Sequence, residues 1–279
     1  MDSYAILIAM ISMGGLGIIF SAGLSLANKK LHVEEDPRIA QVVDELPGAN
    51  CGGCGLPGCA KFAECVVTGE ISVSACPVCS EDAIIAISDI MGIEAEKAER
   101  MIARVMCQGG EYETAKKGVY SGIKTCIAAT FAGGGDKLCS YGCIGFGDCV
   151  ESCPFDAMYM NDNGLPVVID DKCTGCGNCV DACPRDIIEL HPESHKLFVR
   201  CKNEDPPKEA RKICTRACVG CVICVRMAGE NNMMMRNHLA VINYDVYGKD
   251  LELPTDKCPT EGLVIMDSSK HETEEKVSA

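Results

Sequence analysis

The sequence predicts an α+β chain. An N-terminal transmembrane helix leads into a small, mostly helical cysteine domain, followed by two successive units of short strands around cysteine loops. Three observations predict it. Tyr4–Ala27 is apolar or small throughout and carries no charge, long enough to cross a bilayer as a helix. The run CTGCGNCVDACP at 173–184 has a partner about 30 residues upstream, LCSYGCIGFGDCVESCP, which makes an internal repeat. A weaker copy of the same rhythm begins at Cys218.

The apolar segment reads as an uncleaved anchor. A cleaved signal should open on a basic stretch, but the chain starts Met1-Asp2-Ser3 and its lysines, Lys29 and Lys30, come after the segment. Positive charge on that flank places the C-terminal domains in the cytoplasm, on a single-pass protein of the inner membrane. The segment has no ionisable group to serve as an ion relay.

Residues 31–106 are expected to form a domain of their own. Asp36-Pro37 starts a helix and Pro47-Gly48 ends it. Helical periodicity recurs over 81–91 and 94–106. Between them lie Cys51, Cys54, Cys59 and Cys76, with glycines that let backbone approach a bound group. A zinc ribbon on Cys51, Cys54, Cys76 and Cys79 is the competing reading. It leaves Cys59 idle, whereas a [4Fe–4S] cluster uses it.

The chain has 22 cysteines, no Trp, six Phe and seven Tyr. Three thiols within seven residues are poorly placed for disulfides and well placed for metal, and bound clusters would substitute for the missing aromatic core. A net charge of -14 argues against nucleic acid as a partner.

Cys-x2-Cys-x2-Cys-x3-Cys-Pro is the bacterial ferredoxin run, in which three thiolates hold one cluster and the fourth serves the other. Residues 107–194 are therefore expected to be a ferredoxin-like domain with two clusters. One is held by Cys173, Cys176, Cys179 and Cys153. In the upstream motif Phe146 occupies the middle cysteine's place, so Cys139 is expected to stand in, with Cys143, Cys149 and Cys183. A short strand is expected in GLPVVIDDKC, and a helical turn then a strand after each Cys-Pro. Residues 195–267 read as a degenerate unit. Ala228 stands where the fourth cysteine belongs, and Gly248, Leu251 and Pro254 where the second triplet belongs. One cluster on Cys218, Cys221, Cys224 and Cys258 remains. Residues 268–279 read as a disordered tail.

Four clusters use sixteen cysteines and leave Cys65, Cys79, Cys107, Cys126, Cys201 and Cys214. Cys65 reads as core. Cys107, Cys126, Cys201 and Cys214 could form a fifth site, substitute for an assigned ligand, or be plain buried thiols. VMC and VRC suggest strand positions for Cys107 and Cys201.

EDPR…LPGANCGGCGLPGC, GGGDKLCSYGCIGFGDCVESCPFDAM and CTGCGNCVDACP, behind an anchor, resemble the B subunit of the Rnf membrane electron-transport complex, in its longer form. The resemblance implies an iron–sulfur subunit that takes electrons from reduced soluble ferredoxin and relays them to other Rnf subunits. It also implies a ferredoxin:acceptor oxidoreductase, usually with NAD, coupled to ion translocation. The sequence itself has no Rossmann or Walker loop, so no catalytic residue of its own is expected. An iron–sulfur subunit of another membrane oxidoreductase and a membrane-anchored sensor or scaffold are the alternatives. The basic stretch Lys196, Arg200, Lys202, Lys208, Arg211, Lys212, Arg216, Arg226 and Arg236 is a candidate ferredoxin-docking face.

Overall fold

A computed structural model of the chain describes residues 3–31, 36–95, 99–246 and 254–266. The expected disordered tail and the positions of Gly248 and Leu251 lie outside the described residues.

Helix α1 (Ser3–Leu31) carries the apolar segment, with Lys29 and Lys30 in its last turn. Residues 10–30 are long and apolar enough to span a membrane, and that stretch is not buried inside the protein. The small domain follows. Asp36 caps α2 (Pro37–Glu45) by accepting from the Arg38 amide, with Pro37 at the first helical position. α3 (Cys59–Thr68) ends on Gly69 in the left-handed conformation, and α4 (Glu81–Met91) is capped by Ser80. Val42, Phe62, Val66 and Ile87 form its core, and Cys65 on α3 is buried.

The second expected helix, over 94–106, is a strand at its end: β1 (Met101–Val105). It pairs antiparallel with β4 (Ile188–Pro192), Met101 opposite Pro192 and Val105 opposite Ile188. Ile102 to Val105 are all buried. A segment covered on every side shows no clean alternation, so its period misleads and pairing decides its state. The ferredoxin-like unit therefore begins before residue 107.

That unit continues through α5 (Cys126–Phe131), α6 (Asp148–Glu151), β2 (Met158–Met160), β3 (Pro166–Val168) and α7 (Asn178–Asp181). β2 and β3 form a hairpin, so the unit pairs its outer strands and its inner strands separately. The third repeat, though its cysteines are reduced, copies this topology. β5 (Leu197–Val199) pairs with β8 (Leu263–Ile265), and β6 (Met233–Arg236) with β7 (Leu239–Ile242). α8 (Pro207–Ile213) and α9 (Ile223–Ala228) lie between β5 and β6.

The repeat is also visible in backbone angles. Gly145, Gly175 and Gly220 have φ of 99°, 68° and 58° at one motif position, and Gly147, Gly177 and Val222 have φ of 86°, 86° and 63° at the next. Asp156, Asp186 and Glu261 share φ of 50° three residues after each Cys-Pro cysteine. The helical turns, expected after each Cys-Pro, come before it, as α6 and α7. After it the left-handed residue turns the chain straight into a strand.

The two losses in the third unit differ. Ala228 is buried in the unit's core, so the vacated ligand position was absorbed by packing. Before Cys258 there is a 3-10 turn, Thr255–Lys257, like Asp170–Lys172 before Cys173. Cys258 is then followed at once by Pro259.

Candidate iron–sulfur centres

Four small cavities are lined by thiols, three of them by four cysteines each and one by five. Cys153, Cys173, Cys176 and Cys179 surround one, and Cys218, Cys221, Cys224 and Cys258 another. Both sets are those expected from the motifs.

The third cavity is lined by Cys126, Cys143, Cys149 and Cys183. Cys126, not Cys139, completes this set. Its position is fixed by Asp148, whose carboxylate accepts from the amides of Cys126 at 2.7 Å and Ile127 at 3.1 Å. The residue that opens α6 beside Cys149 thus caps the helix that brings in Cys126. Phe146 packs with Tyr120 instead, ring centroids 5.6 Å apart.

Cys139 lies in the fourth cavity with Cys107, Cys201 and Cys214, and Cys143 borders this cavity as well as the third. A β-carbon on Gly142 would stand 3.2 Å from the Cys139 sulfur and 3.4 Å from that of Cys107, and one on Gly109 would stand 3.2 Å from that of Cys214. The suggested extra set of Cys107, Cys126, Cys201 and Cys214 is thus changed by one exchange, Cys139 for Cys126. The sequence held a signal for it. Cys107 and Cys201 each come two residues after the first strand of their unit, and Cys139 and Cys214 each come four residues before the unit's first motif cysteine. Each unit contributes one such pair, so this cavity sits where the two units meet. Residues 113–115 run antiparallel to 213–215 across the junction, through Ala115 N to Ile213 O at 2.8 Å and Thr215 N to Glu113 O at 3.0 Å.

In the small domain Cys54, Cys59, Cys76 and Cys79 border the core. The thiols of Cys76 and Cys79 hydrogen-bond, which pushes Cys76 down to about 6 and Cys79 up. The amide of Cys59 is held by Asn50 Oδ1 at 2.9 Å. Cys51 is close enough to Cys176 to act on its charge.

The sets adjoin one another in series. Gly53 lies on the backbone of Cys176. Ser152 Oγ bridges the carbonyls of Cys149 and Asn178, at 2.9 and 3.4 Å. The amide of Cys143 donates to the Cys107 sulfur at 3.4 Å, and the amide of Cys218 to the Cys201 sulfur at 3.3 Å.

Among the described residues, no three His, Cys, Asp or Glu side chains converge on a point that would hold a single metal ion. In each of these four sets the thiols line a common cavity. Burial pushes the thiols of Cys149, Cys179 and Cys201 up to about 12. Iron takes the thiolate, so loading such sites releases protons.

The basic stretch carries less open charge than it reads. Arg200 is turned inward, donating to the carbonyls of Val105 and Cys107. Lys202, Lys212, Arg216 and Arg236 pair with Glu189, Glu209, Glu261 and Glu204. Lys196, Lys208, Arg211 and Arg226 are exposed.

Comparison with known proteins points to iron–sulfur chemistry. Residues 46–78 match a family described as a putative Fe-S cluster, and residues 142–188 a 4Fe-4S dicluster domain. The chain is 44% identical to the B subunit of the Na(+)-translocating ferredoxin:NAD(+) oxidoreductase complex of Acetobacterium woodii, over 91% of this chain and 76% of that one. It is 36% identical to the B subunit of the proton-translocating ferredoxin:NAD(+) oxidoreductase complex of Clostridium ljungdahlii, over 91% and 90%. It is also 36% identical to the B subunit of the ion-translocating oxidoreductase complex of Methanosarcina acetivorans, over 84% and 88%. With its apolar helix and its thiol-lined cavities, the chain belongs to the B-subunit family of the Rnf-type ion-translocating oxidoreductase complexes, and is an iron–sulfur electron-transfer subunit.

Proposed function

We propose that the chain is a linear electron wire of five [4Fe–4S] clusters. The thiol sets, in order along the wire, are Cys51, Cys54, Cys59 and Cys76; then Cys153, Cys173, Cys176 and Cys179; then Cys126, Cys143, Cys149 and Cys183; then Cys107, Cys139, Cys201 and Cys214; then Cys218, Cys221, Cys224 and Cys258. The observation that carries this reading is the series of contacts from Gly53 on Cys176 to the amide of Cys218 on Cys201. When bound, the clusters supply one-electron carriers whose potentials follow hydrogen bonding and burial. The chain's own residues hold the ligands, exclude water and fix the order. It converts no substrate itself.

Reduced soluble ferredoxin delivers electrons at the Cys218 end. Cys221 is the exposed member of the described cysteines. α8, with Lys208 and Arg211 exposed, lies in the same unit and offers charge complementary to an acidic partner. The small domain follows α1, so electrons leave toward the membrane subunits, with the soluble domains on the cytoplasmic face beside Lys29 and Lys30.

Iron and acid-labile sulfide per chain test the count. Five cubanes give about twenty iron atoms. About sixteen, or a zinc in place of one set, would end the five-cluster reading. Charge reversal at Lys208, Arg211 and Lys212 is expected to slow ferredoxin oxidation, most at low salt; an unchanged rate would remove the docking face.

A further inference from the structure

The cavity at the junction of the two units differs from the others in charge. Lys137, Arg200, Lys202 and Arg216 line it, and no carboxylate does. The Cys126 cavity is lined by Arg185 as its one charged side chain, and the Cys153 and Cys218 cavities by none. Lys202 and Arg216 are offset by Glu189 and Glu261. Among the described residues, Lys137 and Arg200 have carbonyl partners only. Lys137, 2% exposed, donates from Nζ to Gly109 O at 3.2 Å. Arg200 donates to Val105 O at 3.0 Å and Cys107 O at 3.2 Å.

The sulfurs here are also well supplied with donors. Cys107 accepts from the amides of Gly109 and Cys143, both at 3.4 Å. Cys201 accepts from the amides of Asn203 at 3.4 Å and Cys218 at 3.3 Å. Buried Asn203 places Nδ2 4.0 Å from the Cys139 sulfur. Reduction adds one negative charge to an iron–sulfur group. Uncompensated cations in a low-dielectric site and hydrogen bonds to sulfur both stabilise that charge.

We propose that Lys137 and Arg200 give the group held by Cys107, Cys139, Cys201 and Cys214 the highest reduction potential in the chain, so that the first electron taken from ferredoxin rests at the junction. This rests on the reading of the junction cavity as a cluster site. The position suits the role, since the junction is the second set from the ferredoxin end, and a sink there draws electrons off the exposed set.

The test is an EPR-monitored redox titration of the intact complex, with the junction signal identified by its change in Cys214→Ser. In the unaltered protein that signal is expected to grow first on stepwise reduction. Lys137→Gln, which keeps a donor but removes the charge, is expected to make reduction at the junction at least about tenfold less favourable, about 59 mV for one electron. Lys137→Arg, which keeps the charge, is expected to stay near the original potential. A junction signal that reduces after the others, or a midpoint unmoved by Lys137→Gln, overturns the proposal. Should Lys137→Gln lose iron, the order of reduction in the unaltered protein decides alone. The underlying reading fails separately, if Cys214→Ser leaves both iron content and every EPR signal unchanged.

Discussion

Gly53 lies flat against the backbone of Cys176: a β-carbon on it would stand 2.7 Å from the Cys176 carbonyl oxygen and 3.0 Å from its Cα. Pro77 closes the other side, with its Cγ also 3.0 Å away. The obstacle is backbone, which cannot swing aside, so the cysteine loop of the small domain meets that of the ferredoxin-like unit only without a side chain at 53.

Gly53→Val is therefore expected to part the two loops without unloading either. Iron content should stay at the original value. Magnetic interaction between the two centres in the EPR spectrum should weaken, and electron transfer through the complex should fall at least about tenfold, because tunnelling is steep in distance and docking here is close-packed. Full turnover in a loaded Gly53→Val protein would remove this contact from the path.

Cys126 and Cys139 line different cavities, so their losses should be spectroscopically distinct. Cys126→Ala should abolish the signal that depends on Cys149 and spare the one that depends on Cys201; Cys139→Ala should do the reverse. Phe146 stands at the position of the motif's middle cysteine, just after Gly145 in its left-handed turn. Cys126→Ala with Phe146→Cys should recover the Cys149 signal that Cys126→Ala loses. The same signal lost in both single variants would contradict the assignment.

Val222 adopts a left-handed conformation, φ 63°, where the matching positions are Gly147 and Gly177. For a β-branched residue this costs on the order of 1 to 3 kcal/mol. Val222→Gly relieves that strain and gives some of it back as chain entropy. The expected net gain is about 1 kcal/mol, read as a higher temperature of cluster loss. A lower temperature would mean that Val222 packing outweighs its backbone.

Arg104 and Asp170 form an ion pair with side chains only 2% and 3% exposed, Nη1 to Oδ1 at 2.7 Å and to Oδ2 at 2.8 Å. It ties β1 to the turn that precedes Cys173. Asp170→Asn leaves a guanidinium buried without its counter-charge, which costs about 3 to 5 kcal/mol. The Cys173 centre should be the first lost on heating this variant. Arg104→Met with Asp170→Leu, which removes both charges, should be milder than Asp170→Asn alone, as thermal melting of the paired variants will report.

Spacing alone made much of this chain legible. The apolar run from Tyr4, the cap at Asp36-Pro37, and the thiol sets around Cys173 and Cys218 depend on local chemistry and on the exchange of the fourth cysteine between half-motifs. Those follow from sequence because neighbours in the chain are neighbours at the site. The partner of Cys143, Cys149 and Cys183 was not legible in that way. Cys126 arrives on a separate helix, capped by Asp148 from 22 residues on, while the nearer Cys139 is turned toward the other unit. Likewise β1 reads as helix until β4 covers it. The sequence determined which residues can bind iron and that the units repeat. The tertiary structure decided which thiols share a cavity, because Cys107 and Cys139 meet Cys201 and Cys214 only when the two repeated strand-paired units pack against each other, a contact between residues far apart in the chain.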